Sequence, residues 1–350
     1  MIDYLIVGQG LAGSVLAWQL LKAGKKVLVI NNRLTNQASQ VAAGLYNPIT
    51  GRYLAKTWLV DQVFPVMQQF YSEVSNQLAV KLLYPKPIFR PFLDAQEREL
   101  WTYKALEEGY DPYVSLVNTD YQADTVLNNH GGVVIKQAGY LDVPCFLDAI
   151  RAYLQAQHSY QEADFDYDQL RLGTDVQYQG IRAQYVIFCE GAQAKHNPFF
   201  KHLSFRLVKG ELLSIQLDQD LAFIYNRAIF ILPKPGGQAV VGATYDWQDL
   251  SMEATVKARQ VLETKLNSLF KLPYTILRQQ AGIRPATFDR RPWIGMHPNY
   301  PQMGIFNGLG TKGVSLAPYL ASRFVDYLLK GQELPDAVRL NRIPSKAKGL

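Results

Sequence analysis

Apolar residues change period several times along the chain. Tyr4-Leu5-Ile6-Val7 is a short apolar run rich in β-formers, and it predicts a buried strand. From Ser14 to Lys22 the apolar spacing becomes helical, and Gly24 stands where that helix should stop. Val27-Leu28-Val29-Ile30 predicts a second buried strand. Between the first strand and the helix stand Gly8, Gly10 and Gly13. The first permits a tight turn, the second lets a phosphate approach the backbone, and the third lets the helix pack against the strand. The helix N-terminus offers free N–H groups and a positive dipole end to a pyrophosphate. A glycine triplet framed by strand, helix and strand predicts an adenine dinucleotide site.

The second strand ends in Asn31-Asn32, where an Asp or Glu usually accepts hydrogen bonds from ribose hydroxyls. The Asn31 carboxamide oxygen can also accept, without charge. Arg33 nearby leaves a ribose phosphate conceivable, so this segment does not say which dinucleotide is held.

Downstream, ASQVAAGLYNPITGRY reads as loop and turn, and helical spacing runs from about Leu59 to Leu78. KLLYPKPIFRPF is β-like but interrupted by prolines, which predicts edge strands of a second domain. A charged helix is expected from Glu97 to Glu108, then a strand and turn in HGGVVIKQAGYLDVP, then a helix from Cys145 to about Gln155. Gln184–Cys189 predicts another buried parallel-type strand ending in Glu190-Gly191-Ala192. Residues 205–250 alternate as an antiparallel sheet does, turning at Pro235-Gly236-Gly237; residues 251–270 read as helix. MGIFNGLG is a last strand, and a last helix runs from about Gly313 to Leu329. Parallel-type strands near both ends and in the middle, interrupted by antiparallel segments, imply an α/β fold: a discontinuous Rossmann-like domain with an inserted β-rich domain. The expected division is 1–78, 132–204 and 275–350 for the first, and 79–131 and 205–274 for the second.

With 350 residues, 48% of them hydrophobic, the chain has ample material for a core of about two domains. Its two cysteines, Cys145 and Cys189, lie far apart in apolar contexts, which argues against a disulfide framework and for a reducing, cytoplasmic compartment. No signal peptide or membrane span is expected. The net charge of +6 is compatible with anionic cofactors or nucleic acid but selects neither.

The far end carries a second constellation. Gly308-Leu309-Gly310-Thr311-Lys312-Gly313 joins a strand to a helix, so it presents a second helix N-terminus on a glycine-rich loop. A cation at Lys312 opposes the helix dipole by a few tenths of a kcal/mol, which makes sense if an anion docks there; the alternative is a side chain in water. Arg284, in Ala281-Gly282-Ile283-Arg284-Pro285, reads equally as a carboxylate clamp or as an ion pair with Asp289. Of the five histidines, His130, His196, His202 and His297 are expected at the surface.

These motifs together resemble the FAD-dependent D-amino acid oxidase superfamily, which includes glycine oxidase and sarcosine oxidase. The resemblance follows GQGLAG, ASQVAAG, GYLDVP, YVIFCEGA, KGELL, FILPKPGGQAVVGATY, AGIRP, DRRPWIG and GLGTKGVSLAP in that order. It implies FAD, bound non-covalently, and no metal. It places Gly8, Gly10, Leu11, Ala12 and Gly13 at the pyrophosphate, with Asn31 and Asn32 at the ribose. Ser39, Ala43 and Gly44 would lie towards the flavin, Gly191 and Ala192 beneath its centre. Gly282, Gly308, Gly310, Thr311, Lys312, Gly313 and Val314 would approach the flavin. Arg284 matches the arginine that grips the substrate carboxylate. Phe230 stands where a tyrosine is common, and Tyr245 or Tyr46 is the expected replacement for its hydroxyl.

The reaction the resemblance implies is oxidation of the C–N bond of an amino acid or secondary amine, by hydride transfer to flavin N5, with hydrolysis of the imine. The GLGTKG loop is also similar to that of the oxidase domain of the bifunctional tRNA wobble-uridine modification enzyme, so tRNA is an alternative partner. Arg90, Arg290, Arg291 and the 345–350 tail are the candidate basic stripe, weighed against ordinary solvated charge. A flavin-binding protein without amine turnover is a further alternative. The amine and the oligomeric state are left open.

Overall fold

The computed structural model describes residues 1–32, 38–50 and 54–342. Its helices are α1 (Leu11–Lys22), α2 (Ala38–Val41), α3 (Val60–Leu78), α4 (Ala95–Ala105), α5 (Val143–Ala156), α6 (Val256–Asn267) and α7 (Gly313–Lys330). Among the described residues no helix is long and apolar enough to cross a membrane.

The first strand, Ile2–Val7, lies parallel between Val27–Asn31 and Ile181–Phe188. Leu5, Ile6 and Val7 therefore sit between Leu28-Val29-Ile30 and Val186-Ile187-Phe188. Unbroken apolar runs suit this position because both sheet faces are covered. Tyr160–Glu162 extends the parallel sheet beyond Val27–Asn31, and Met303–Asn307 joins Ile181–Phe188 on its other side. One face packs on α1, α5 and α7, and the other on a cluster that includes Tyr178, Phe200 and Trp293.

A second, largely antiparallel sheet runs in the order Thr275–Arg284, Val208–Gln216, Gln238–Gly242, Ile229–Lys234, Ile224–Arg227, Ile88–Pro91, Gly132–Ile135, Val114–Val117. Helix α6 covers one face, against Leu213, Tyr225, Ile231 and Val241. Two expectations change here. Ile88–Pro91 is an interior strand, flanked on both sides, because Pro87 precedes it and Pro91 is its last residue, so neither missing N–H interrupts the ladder. Residues 132–135 and 275–284 hydrogen-bond into this sheet, although the expected division assigns them to the first unit. Their place is set by strand pairing, which chain order does not reveal.

The two ends of the chain meet through α7. Pro318 lies inside this helix and has no N–H for the carbonyl of Val314, four residues back. The hydroxyl of Tyr71, fully buried on α3, donates to that carbonyl at 3.1 Å. The Gln19 side chain of α1 donates to the Pro318 carbonyl at 2.9 Å. Burial of Leu316, Leu320 and Phe324 on the same helix contributes on the order of 5–9 kcal/mol of gross apolar stabilisation.

His297 is a correction: it is 8% exposed and packs its ring on Phe200 and Tyr300. Phe200 and His202 reach it from a distant segment, so its sequence context carried no sign of burial.

Tyr71→Phe should leave the Val314 carbonyl buried and unpaired. We expect a loss of about 1–3 kcal/mol, read as a lower urea midpoint at unchanged slope.

Candidate active site and cofactor cleft

The glycine loop is held by contacts that leave no room for side chains. Gly8 has φ +100°, and a Cβ there would lie 2.5 Å from the Cys189 carbonyl oxygen. A Cβ on Gly13 would fall 1.9 Å from the Gly8 oxygen, so only glycine lets α1 start against the strand. Gly10 caps α1 without a side chain, and the Leu11 N–H donates to Ser39 Oγ at 3.1 Å. The helix begins at Leu11, one turn earlier than its apolar spacing predicts.

Asn31 has a task the sequence did not reveal. Its Oδ1 accepts the Gln9 N–H at 2.8 Å and its Nδ2 donates to the Asn32 carbonyl at 2.6 Å. An aspartate could accept but not donate, so the amide serves the loop. A carboxylate stands one strand over. Asp164 follows Tyr160–Glu162, whose Glu162 lies opposite Asn31, and its Oδ1 accepts from Asn32 Nδ2 at 2.6 Å. Asn31, Asn32 and Asp164 all line one cavity of about 1740 Å³.

The far-end loop opens onto the same cavity. A Cβ on Gly313 would lie 2.9 Å from Leu11 Cδ2, so the N-termini of α1 and α7 stand side by side. Gly308 and Gly310 have φ +83° and +55°, and the Gly310 N–H donates to the Pro285 carbonyl at 3.1 Å. Buried Asn307 donates to the Gly191 carbonyl at 2.9 Å and accepts the Gly308 N–H at 2.8 Å, joining two strand ends. Gly191, Ala192, Thr311 and Val314 line the cavity beside them. Lys312 caps α7, with Nζ 3.3 Å from Thr57 Oγ1 and no ion pair among the described residues. Burial pushes its ammonium pKa down to about 8. Glu190 borders the cavity too; it accepts from Tyr167 and, at 2.8 Å, from Asn197, while burial raises its pKa to about 7.

Gly44, next to Ala43 on the cavity wall, has φ +79°, and its Cβ position lies 1.9 Å from the Leu141 oxygen. This brings the ASQVAAG loop against GYLDVP.

The second sheet closes the cavity with Gly210 and Gly282, which pair across Val208–Gln216 and Thr275–Arg284. A Cβ on Gly210 would lie 2.0 Å from Arg284 Nη2, so the guanidinium lies in the space Gly210 leaves. Arg284 Nη1 donates to the Thr244 carbonyl at 3.2 Å, and the guanidinium sits 4.7 Å from the Tyr245 ring centroid. The ion-pair alternative fails, because Asp289 is taken by Arg342 at 2.9 Å. Arg284 therefore faces the cavity with no carboxylate partner among the described residues. Phe230 and Tyr245 also line it. Tyr46 does not: it is 3% exposed, edge-on to Phe64, and burial raises its pKa to about 12.

The expected basic stripe is broken. Arg90 turns inward onto Glu97 at 2.5 Å, Arg291 lies 4.4 Å from the Trp58 ring centroid, and Arg290 is exposed at the cavity edge. Arg33 and the 345–350 tail lie outside the described residues. Gln9, Thr57, Asp164, Gly210 and Asn307 carry no sequence signal of their own, because strand pairing or loop contact makes each relevant.

The cleft fits an adenine dinucleotide flavin. Two helix N-termini, glycines whose absent side chains shape the loop, an acid at the rim and an enclosed cation with no counter-ion among the described residues match a long, twice-phosphorylated group. Fold and site thus define a dinucleotide-binding oxidoreductase with a separate, largely antiparallel sheet.

Comparison with known proteins agrees. The DAO family profile, FAD dependent oxidoreductase, matches residues 3–327. The chain belongs to this family and is a FAD-binding flavoprotein. It is 29% identical to the glycine oxidase of Bacillus subtilis (strain 168) over 180 residues, 47% of either chain. It is 22% identical to the tRNA 5-methylaminomethyl-2-thiouridine biosynthesis bifunctional protein MnmC of Marinobacter nauticus, a match covering 92% of this chain and 54% of that protein. The fold matches the crystal structure of glycine oxidase from Bacillus cereus ATCC 14579 with a TM-score of 0.80, at 20% identity over 95% of this chain and 96% of that one.

Two buried groups should shape the stability of the flavin-free protein. Between pH 4.5 and about 7 the folded state binds more protons at Glu190, so stability falls as pH rises. Between about 8 and 10.5 the unfolded state binds more at Lys312, so stability rises. Glu190→Gln should flatten the first limb and Lys312→Met the second, in urea midpoints measured against pH.

Proposed function

We propose that the chain oxidises the C–N bond of an amino acid or N-substituted amino acid, and that Arg284 grips its carboxylate. The observation that carries this reading is an enclosed guanidinium with no acidic partner among the described residues, seated on Gly210 in the cavity shared by both helix N-termini. Bound FAD supplies the hydride acceptor. Arg284 fixes the carboxylate through its two-pronged donor face and so sets which hydrogen of the substrate is presented. The Tyr245 ring lies 4.7 Å from that guanidinium, and its hydroxyl would replace the one absent at Phe230. Lys312 and the α7 N-terminus would stabilise the negative charge that a bound flavin gains on reduction. The glycine loop and the α1 N-terminus would hold the pyrophosphate, and Asn31, Asn32 and Asp164 would hold the ribose. Cys189, the cysteine on the cavity wall, is held as a thiol by burial well above its usual pKa, which supports non-covalent attachment. Both cysteines are free, which supports a reducing, cytoplasmic compartment.

A second reading takes a carboxymethylaminomethyl-type wobble uridine of tRNA as the amine. It is favoured by the cavity mouth, where Arg206 lies 5.3 Å from the Trp247 ring centroid and 6.0 Å from that of Phe288. Tyr245 and Trp247 stack beside them, and all three aromatic rings are exposed. Unstacked bases bind such aromatic and guanidinium planes. Retention on tRNA that weakens steeply with salt supports it, and salt-independent or absent retention removes it.

Anaerobic mixing with a panel of amines tests the main reading through bleaching of the flavin absorbance. Arg284→Ala should lower kcat/KM for carboxylated amines by about 10–100-fold, the value of hydrogen bonds to a charged group, with little change in FAD affinity. Equal turnover of carboxylated substrates by the variant would remove Arg284 from the site. Lys312→Met should lower the flavin reduction potential and weaken the sulfite adduct; an unchanged potential would detach Lys312 from the flavin.

A further inference from the structure

The sheet face that carries Arg284 continues past Phe230. Asn226 lies opposite Phe230 across the pair formed by Ile224–Arg227 and Ile229–Lys234. The next strand, Ile88–Pro91, runs parallel to Ile224–Arg227 and brings Arg90 beside Asn226. Alternation sends Phe89, Tyr225 and Ile231 into the core under α6, and it leaves Arg90, Asn226 and Phe230 facing the cavity.

This end of the cavity is rich in donors and short of acceptors. Arg90 gives Nε and Nη2 to Glu97 Oε1, at 3.2 and 2.5 Å. Its Nη1 reaches Asn226 Oδ1 at 3.5 Å, which leaves the Asn226 amide hydrogens without a partner among the described residues. Trp101, whose ring centroid is 5.9 Å from the Arg90 guanidinium, lines the same end, and its Nε1 is buried with no partner among the described residues. A buried donor left unpaired costs about 1–3 kcal/mol, so this arrangement is that of a site completed by a ligand. Glu97 neutralises Arg90, and a second carboxylate would meet that acid.

We propose that Arg90, Asn226 and Trp101 form a second recognition subsite for an uncharged hydrogen-bond acceptor, such as a carbonyl, on the nitrogen substituent of the amine. Three strand spacings, about 14 Å, separate the strand that seats Arg284 from the one that carries Asn226. An α-amino acid alone does not cover that span. The acceptor therefore belongs to an extended substituent, and the bare ring of Phe230 provides the apolar floor between the two ends. The subsite rests on the reading of Arg284 as carboxylate clamp.

The test uses the FAD-loaded protein and carboxymethyl thioethers, in which sulfur replaces the oxidisable nitrogen. One series ends in a methyl ketone and a matched series ends in an isopropyl group, each over increasing chain length. Binding is titrated through the perturbed flavin absorbance. At the best length the ketone should bind about 3–10-fold tighter than its isopropyl match, the worth of one neutral hydrogen bond. Asn226→Leu should erase that difference. Asn226→Asp, which keeps the size but turns a donor into an acceptor, should reverse it. Equal affinity of ketone and isopropyl compounds at every length would overturn the subsite. Compounds without the carboxylate separate the two ideas. If removing it changes no affinity, the Arg284 reading fails, while the ketone preference still reports on the subsite.

Discussion

The architecture depends on a close approach between backbones. Helices α1 and α7 come from opposite ends of the chain, and their N-termini meet at a single cleft. They can do so because Gly13 and Gly313 present no side chain where the Gly8 oxygen and Leu11 already stand. Each terminus leaves several N–H groups without helical partners. Placed side by side, they make a region of positive potential that a long anionic cofactor satisfies over much of its length. The Tyr71 bridge to the carbonyl freed by Pro318 keeps α7 in that position from behind.

The ionisable groups of the cleft follow from this arrangement. Lys312 adds a buried cation next to a positive helix end, and no acid of the described chain compensates it. Arg284 is likewise enclosed without a carboxylate among the described residues, since Asp289 is paired with Arg342. Two desolvated cations with no counter-ion are costly in an empty protein and become favourable with anionic ligands. The acids at the rim are placed differently. Asp164 is exposed and bonded to Asn32, and Glu190 is shielded by Tyr167 and Asn197. The cleft thus separates a cationic interior from its bordering carboxylates.

Much of the plan was legible in local pattern. The buried parallel strands, the glycine loops, the antiparallel run after residue 205 and the last helix all follow from apolar period and turn residues, within a few positions. What was not legible depended on pairing between distant segments. Asn31 was read as a ribose acceptor; its oxygen also secures Gln9, and the carboxylate beside Asn32 is that of Asp164, 132 residues on. Tyr46 looked available for a substrate and proved to be core, because Phe64 of α3 packs edge-on against its ring. Arg90 looked like surface charge until Glu97 and Asn226 drew it inward.

The order of residues by itself determined which segments become strands and helices and where glycine is required, since these are short-range effects of side-chain size and backbone freedom. It also set the number of charges a cofactor would have to meet. Tertiary structure alone decided which charges are buried together and which acid stands beside which strand end. Those outcomes depend on desolvation and on sheet register, and neither exists until the remote segments have packed.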